Sequence, residues 1–111
     1  MVSTIKKISP KYRIIIVDCL TLLLSNLMLK GYNEKIIEEE IIKVMDYIKK
    51  LKDSEVIIVS NEVGLGIVPG NKLGRDFRDM AGRINQIVAA CAYDVFFIAA
   101  GIPIKIKEGN G

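Results

Sequence analysis

Histidine is absent from the 111 residues. That absence removes imidazole general-base catalysis, Ser-His and Cys-His nucleophile pairs and most zinc sites together. Cysteine is scarce: Cys19 and Cys91 lie far apart in apolar segments, with no CxxC spacing, so they read as free buried thiols. No run is long and apolar enough to span a bilayer, because Leu20 to Leu29 is interrupted by Thr21, Ser25 and Asn26. The opening Met1 to Pro10 has no apolar signal-peptide core. A cytoplasmic protein without a membrane span is expected. A strong excess of charge is missing too. Sixteen Lys+Arg stand against thirteen Asp+Glu, a net charge of +3, with no cluster of basic residues interleaved with aromatics. A nucleic-acid partner is therefore not expected.

Half of the residues are hydrophobic and about a quarter charged, the composition of a globular chain of one domain, residues 1–111. Residues 1–12 and 108–111 are expected to be loosely ordered. Ile14-Ile15-Ile16-Val17 and Val56-Ile57-Ile58-Val59 are continuous β-branched runs without alternation, the pattern of parallel strands buried on both faces. Between them, Leu20 to Leu29 predicts a helix buried on most sides, stopped at Gly31. Asn33 then caps a second helix over Glu34 to Lys52, with Ile37, Ile41, Val44, Met45, Ile48 and Leu51 at helical spacing.

After a loop bearing Gly64, Gly66, Pro69 and Gly70, a third helix runs from about Lys72 to Ala92. Its apolar face is Leu73, Phe77, Met80, Ile84, Ile87, Val88 and Cys91. Val95 to Ala99 is a further strand. Ile102, Ile104 and Ile106 then alternate with Pro103, Lys105 and Lys107, marking an antiparallel edge strand. Strands separated by helices define an α/β fold, a mainly parallel sheet with flanking helices. Ligands bind such sheets at the carboxyl ends of the strands. There the chain places Asp18 and Ser60-Asn61-Glu62.

An apolar strand ending in Asp can hold Mg²⁺ beside nucleotide phosphates, but spacing alone makes a helix cap the simpler reading of Asp18. Glu62 can activate a hydroxyl or position a water; its plainer role is an ion pair with Arg75 or Arg78. Arg75, Arg78 and Arg83 lie mostly off the apolar stripe of their helix, as partners of Asp76 and Asp79 or as phosphate or subunit contacts. Asn85, between Ile84 and Ile87, is expected to bond a neighbouring backbone. Gly64 and Gly66 make only a GxG, short of a dinucleotide fingerprint.

Four stretches carry a resemblance: Val17-Asp18-Cys19-Leu20-Thr21-Leu22 with Ser25-Asn26-Leu27; Val59-Ser60-Asn61-Glu62-Val63-Gly64-Leu65-Gly66-Ile67-Val68-Pro69; Phe77-Arg78-Asp79-Met80-Ala81-Gly82-Arg83-Ile84-Asn85-Gln86; and Ala100-Gly101-Ile102-Pro103-Ile104-Lys105. Together, over roughly Ile14 to Lys107, they resemble the adenosylcobinamide kinase / adenosylcobinamide-phosphate guanylyltransferase family.

The resemblance implies the C-terminal part of a P-loop, RecA-like fold and a role in cobalamin biosynthesis. Family members phosphorylate the aminopropanol hydroxyl of adenosylcobinamide with ATP or GTP, then transfer GMP to that phosphate through a guanylylated histidine. They act as oligomers, typically trimers. The resemblance shifts Asp18 to a nucleotide-site residue, and the shared sheet end then makes it the Mg²⁺-side carboxylate, with Glu62 as a secondary catalytic acid/base or positioning residue and Asn61 as a polar helper in nucleotide binding. Two family features are not in the chain: the glycine-rich Gly-Lys-Ser phosphate loop and any histidine. The expectation is therefore a homo-oligomeric partial nucleotide-binding domain, inactive alone: one half of a split enzyme completed by a separate P-loop half, a truncated gene product, or a fragment. The alternative is a non-catalytic oligomerisation or interaction module that has lost nucleotide binding.

Overall fold

The computed structural model describes residues 2–9, 11–62 and 70–109. The chain runs α1 (Val2–Ile8), β1 (Ile14–Asp18), α2 (Leu20–Leu29), α3 (Glu34–Lys49), β2 (Glu55–Val59), α4 (Lys72–Cys91), β3 (Val95–Ala99), β4 (Ile102–Lys107). β1 and β2 pair in parallel, Ile14 opposite Glu55 through to Asp18 opposite Val59, with α2 and α3 as the crossover. β3 and β4 form a separate antiparallel pair. The α/β class with a small parallel sheet is what the strand runs imply. The mainly parallel sheet is corrected: among the described residues there is one parallel pair and one antiparallel pair, because β3 bonds to β4 alone.

The helix punctuation follows from local chemistry. α2 ends where Gly31, at φ +88°, turns left-handed. Its N–H bonds Met28 O at 3.0 Å and the Tyr32 N–H bonds Leu27 O at 3.2 Å, which satisfies carbonyls the last turn would leave open. Asn33 caps α3 by accepting from the Ile36 N–H at 2.9 Å, and Asn71 caps α4 by accepting from Gly74 at 2.6 Å. The β3–β4 turn is Ala100-Gly101, both with positive φ, +52° and +76°. Two left-handed residues match the twist of a tight hairpin; glycine does this freely, alanine at a cost of about 1 kcal/mol.

The core is a three-helix cluster on one side of the parallel pair. Leu20 and Leu24 of α2, Ile37, Ile41 and Met45 of α3, and Met80, Ala81 and Ile84 of α4 are buried together, with Ile58 of β2 packed against them. α1 adds Ile5, and the hydroxyls of Ser9 and Tyr47 lie 3.2 Å apart, joining its end to α3. The amino-terminal lead-in, expected to be loose, is therefore helical over Val2–Ile8. At the other end Lys107 Nζ donates to Ala89 O and Ala90 O, both at 2.9 Å, and ties the hairpin to the last turn of α4.

Three burial expectations need correction. β1 and β2 are covered on one face only: Ile15 is buried, whereas Ile14 and Ile16 are 59% and 62% exposed, and Ile57 and Val59 are also exposed. α2 is not enclosed all round, since Leu22 and Leu29 face outward. Leu73, placed on the apolar face of α4, is exposed as well. The common reason is one-sided packing: the helical core lies against a single face of the two strands.

Candidate functional site at the strand ends

Parallel pairing places Asp18 directly beside Val59, about 4.8 Å away across the ladder, so the residues after Val59 leave from the same edge. Asp18 is exposed, and its carboxylate makes no hydrogen bond or ion pair among the described residues. The Asp18–Cys19 peptide is cis. The simpler expectation, that Asp18 caps the following helix, is corrected here. The cap position of α2 belongs to Cys19, in extended backbone, without a side-chain cap bond. Its Sγ lies 3.1 Å from Thr21 Oγ1. That hydroxyl, followed by the Leu22 backbone N–H, holds the Cys19 thiol below its ordinary pKa, against desolvation and the Asp18 charge.

The exit of β2 is held from α4. Ser60 Oγ donates to Asn85 Oδ1 at 2.6 Å, and Asn85 Nδ2 donates to Asn61 O at 3.2 Å. A single amide thus grips two consecutive residues of the Ser60-Asn61-Glu62 turn, presenting the exposed Asn61 and Glu62 side chains on the edge that carries Asp18. Sequence reasoning gave Asn85 a backbone partner but not this clamp. The readable signal was one polar residue inside the otherwise apolar stripe of Ile84, Ile87 and Val88. Gly64, Gly66 and Pro69, with most of the SNEVGxGIVP stretch, lie outside the described residues.

Two of the arginines are placed differently from expectation. Arg83 pairs with Glu34 and, at 3.3 Å, with Glu38, both on α3, rather than with Asp76 or Asp79. It is a strut between helices. Arg75 Nη1 donates to Gly70 O at 3.2 Å, closing the start of α4. Among the described residues no group of three or more His, Cys, Asp or Glu could hold a metal ion by itself. Asp18 is a single accessible hard oxygen donor, which fits Mg²⁺, an ion that takes one or two carboxylates and keeps its waters and phosphate ligands. It does not fit a closed all-protein cage.

The fold is that of an α/β protein with polar side chains gathered at the carboxyl end of its parallel pair, the end at which such sheets generally bind ligands. The chain belongs to the cobinamide kinase / cobinamide phosphate guanyltransferase family, whose model matches residues 1–106. It is 40% identical over 105 residues to the bifunctional adenosylcobalamin biosynthesis protein CobU of Salmonella typhimurium, an alignment covering 84% of this chain and 58% of that protein. It is 34% identical to the Escherichia coli protein of the same name, over 85% of this chain and 58% of the relative. It is 35% identical to the bifunctional adenosylcobalamin biosynthesis protein CobP of Pseudomonas aeruginosa, over 96% and 61%. The chain therefore spans about three-fifths of the length of these relatives. No helix among the described residues is long and apolar enough to cross a membrane.

Proposed function

We propose that this chain serves adenosylcobalamin biosynthesis as the strand-edge portion of a cytoplasmic cobinamide kinase / guanylyltransferase with a P-loop-type nucleotide site. The observation that carries the reading is the register of β1 on β2, which puts Asp18 and the clamped Ser60-Asn61-Glu62 turn on one edge. Asp18 would hold Mg²⁺ through a carboxylate oxygen, directly or through water. When bound with ATP or GTP, Mg²⁺ neutralises phosphate charge and orients the transferred group. Asn61 offers both a donor and an acceptor to nucleotide or substrate. Glu62 accepts the proton of the attacking hydroxyl or positions it for attack. The backbone cradle for the phosphates, and the histidine that the resemblance implies for guanylyl transfer, are not among these 111 residues, and the reading requires both to be supplied beside them.

A second reading, an interaction module without catalysis, draws on the bare face of Ile14, Ile16, Ile57 and Val59, which favours self-association or a partner. One experiment separates the two. The chain alone should not phosphorylate adenosylcobinamide. Supplied with a polypeptide bearing the Gly-Lys-Ser loop and the histidine, it should turn over GTP. Asp18→Asn should then reduce that turnover by about a hundredfold while barely moving the melting temperature. Turnover unaffected by Asp18→Asn would remove the site assignment.

A further inference from the structure

The opposite end of the parallel pair has its own concavity. An open cleft of about 830 Å³ lies between the segment entering β1 and the segment entering β2, lined by Ser9, Lys11, Tyr12, Arg13, Tyr47 and residues 50–54. Four of its lining residues are cations: Lys11, Arg13, Lys50 and Lys52. Asp53 is the one carboxylate among them. Among the described residues none of the four cleft cations takes part in an ion pair. Four cations against one carboxylate therefore converge on this hollow.

The cleft also has a fixed frame. Ser54 Oγ donates to Tyr12 O at 2.7 Å and contacts Ser9 O at 3.0 Å, so one hydroxyl stitches the two basic segments together. The Glu55 N–H bonds Arg13 O at 2.6 Å and continues the stitch into the sheet. Four like charges repel each other. Holding them on bonded backbone around a cavity is favourable only when an anion occupies it or solvent screens it. The size suits a small ligand, within the range of ordinary ligand pockets, and four cations are too few and too gathered for a nucleic-acid track. Tyr12, 58% exposed on the rim, offers a ring face.

We propose that this amino-terminal-edge cleft binds a small anion carrying two or three linked phosphates, through Lys11, Arg13, Lys50 and Lys52, as a site separate from the Asp18 edge. The ligand is either a free polyphosphate or the phosphate chain of a nucleotide. The inference does not depend on the catalytic reading, because no residue is shared between the two ends.

The test is titration calorimetry of the full chain at low ionic strength, with inorganic tripolyphosphate and with GTP. Saturable binding is expected, weakened by about tenfold or more in Lys50→Glu/Lys52→Glu and in Lys11→Gln/Arg13→Gln. The control Lys35→Glu/Lys72→Glu changes net charge as much as the first pair but at remote exposed positions, and should retain binding. Circular dichroism confirms that each variant is folded. GTP binding more tightly than tripolyphosphate supports the nucleotide as source, with Tyr12 under the base; equal affinity supports the free polyphosphate. The proposal is overturned if neither anion binds saturably, if the cleft variants bind as tightly as the parent, or if the remote control weakens binding as much as the cleft variants.

Discussion

Replacing Asn85 by alanine tests whether the turn that carries Asn61 and Glu62 is built or incidental, and the sign of the effect decides. Asn85 lies inside α4, where helix propensity alone favours alanine over asparagine by about 0.5 kcal/mol. A residue with no tertiary role would therefore stabilise the protein when truncated. The structure gives Asn85 two bonds across to β2, from Ser60 Oγ at 2.6 Å and to Asn61 O at 3.2 Å. Hydrogen bonds of this kind contribute about 0.5–1.5 kcal/mol each, and half-burial puts this pair toward the lower part of that range because water replaces part of what is lost. About 1–2 kcal/mol lost, less the propensity gain, leaves a net destabilisation of about 0.5–1.5 kcal/mol.

In urea that is a midpoint lowered by up to about 1 M, with the slope unchanged. The coupling is read from a double-mutant cycle of Ser60→Ala and Asn85→Ala. An interaction energy of about 0.5–1 kcal/mol is expected for two side chains sharing one bond. Hydrogen exchange should accelerate at Asn61 and Glu62 while the core of α3 keeps its protection. If Asn85→Ala is as stable as the parent or more so, and the cycle closes within about 0.3 kcal/mol of additivity, the clamp does not exist.

Leu24 is fully buried between α3 and α4, so Leu24→Ala should cost about 3–4 kcal/mol, a large share of the stability of a chain this size. Leu22→Ala, on the outward side of the same helix, should cost under about 0.5 kcal/mol, and equal urea midpoints for the two would contradict the packing. Cys19, with its pKa lowered by Thr21, should be alkylated by iodoacetamide near neutral pH faster than Cys91. A lowered pKa means more thiolate at a given pH, so Thr21→Val should slow Cys19 and leave Cys91 unchanged; a rate at Cys19 indifferent to Thr21 would reject that hydrogen bond.

The readable parts of the fold were those decided within a few residues. The Asn33 cap, the Gly31 stop and the 3.6-residue stripe of α3 need only local sterics and one hydrophobic face, and each is in place. The parallel pairing of β1 with β2 followed from two unalternating β-branched runs separated by helices. What the sequence could not convey is which faces find a cover. A run such as Ile14-Ile15-Ile16-Val17 states that both faces are able to be buried; only the assembled helices decide that Ile15 is buried and Ile16 is not. α1 was missed for the converse reason. Seven residues are too short to hold a helix by propensity, and it stands because Ile5 is buried and its end is joined to Tyr47. Arg83 shows tertiary geometry overruling a sound local rule: Asp79 sits four residues away on the same helix, yet α3 brings Glu34 and Glu38 closer.

The same logic separates the two ends of the parallel pair. The sequence named Asp18, Asn61 and Glu62 because polar residues after apolar strand runs are conspicuous, whereas Lys11, Arg13, Lys50 and Lys52 are scattered over about forty positions and carry no motif. Parallel pairing is what sorts them. Both strands enter from one edge and leave from the other, so whatever precedes Ile14 and Glu55 is gathered at the first, and whatever follows Asp18 and Val59 at the second. Five residues of strand separate the edges by about 17 Å, roughly twice the screening length at physiological salt. Direct fields between exposed charges at the two ends are therefore weak. Any influence of one end on the other runs through bonded backbone: the Ser54 stitch joins the entries of β1 and β2 at one edge, and the Asn85 clamp ties the exit of β2 to α4 at the other.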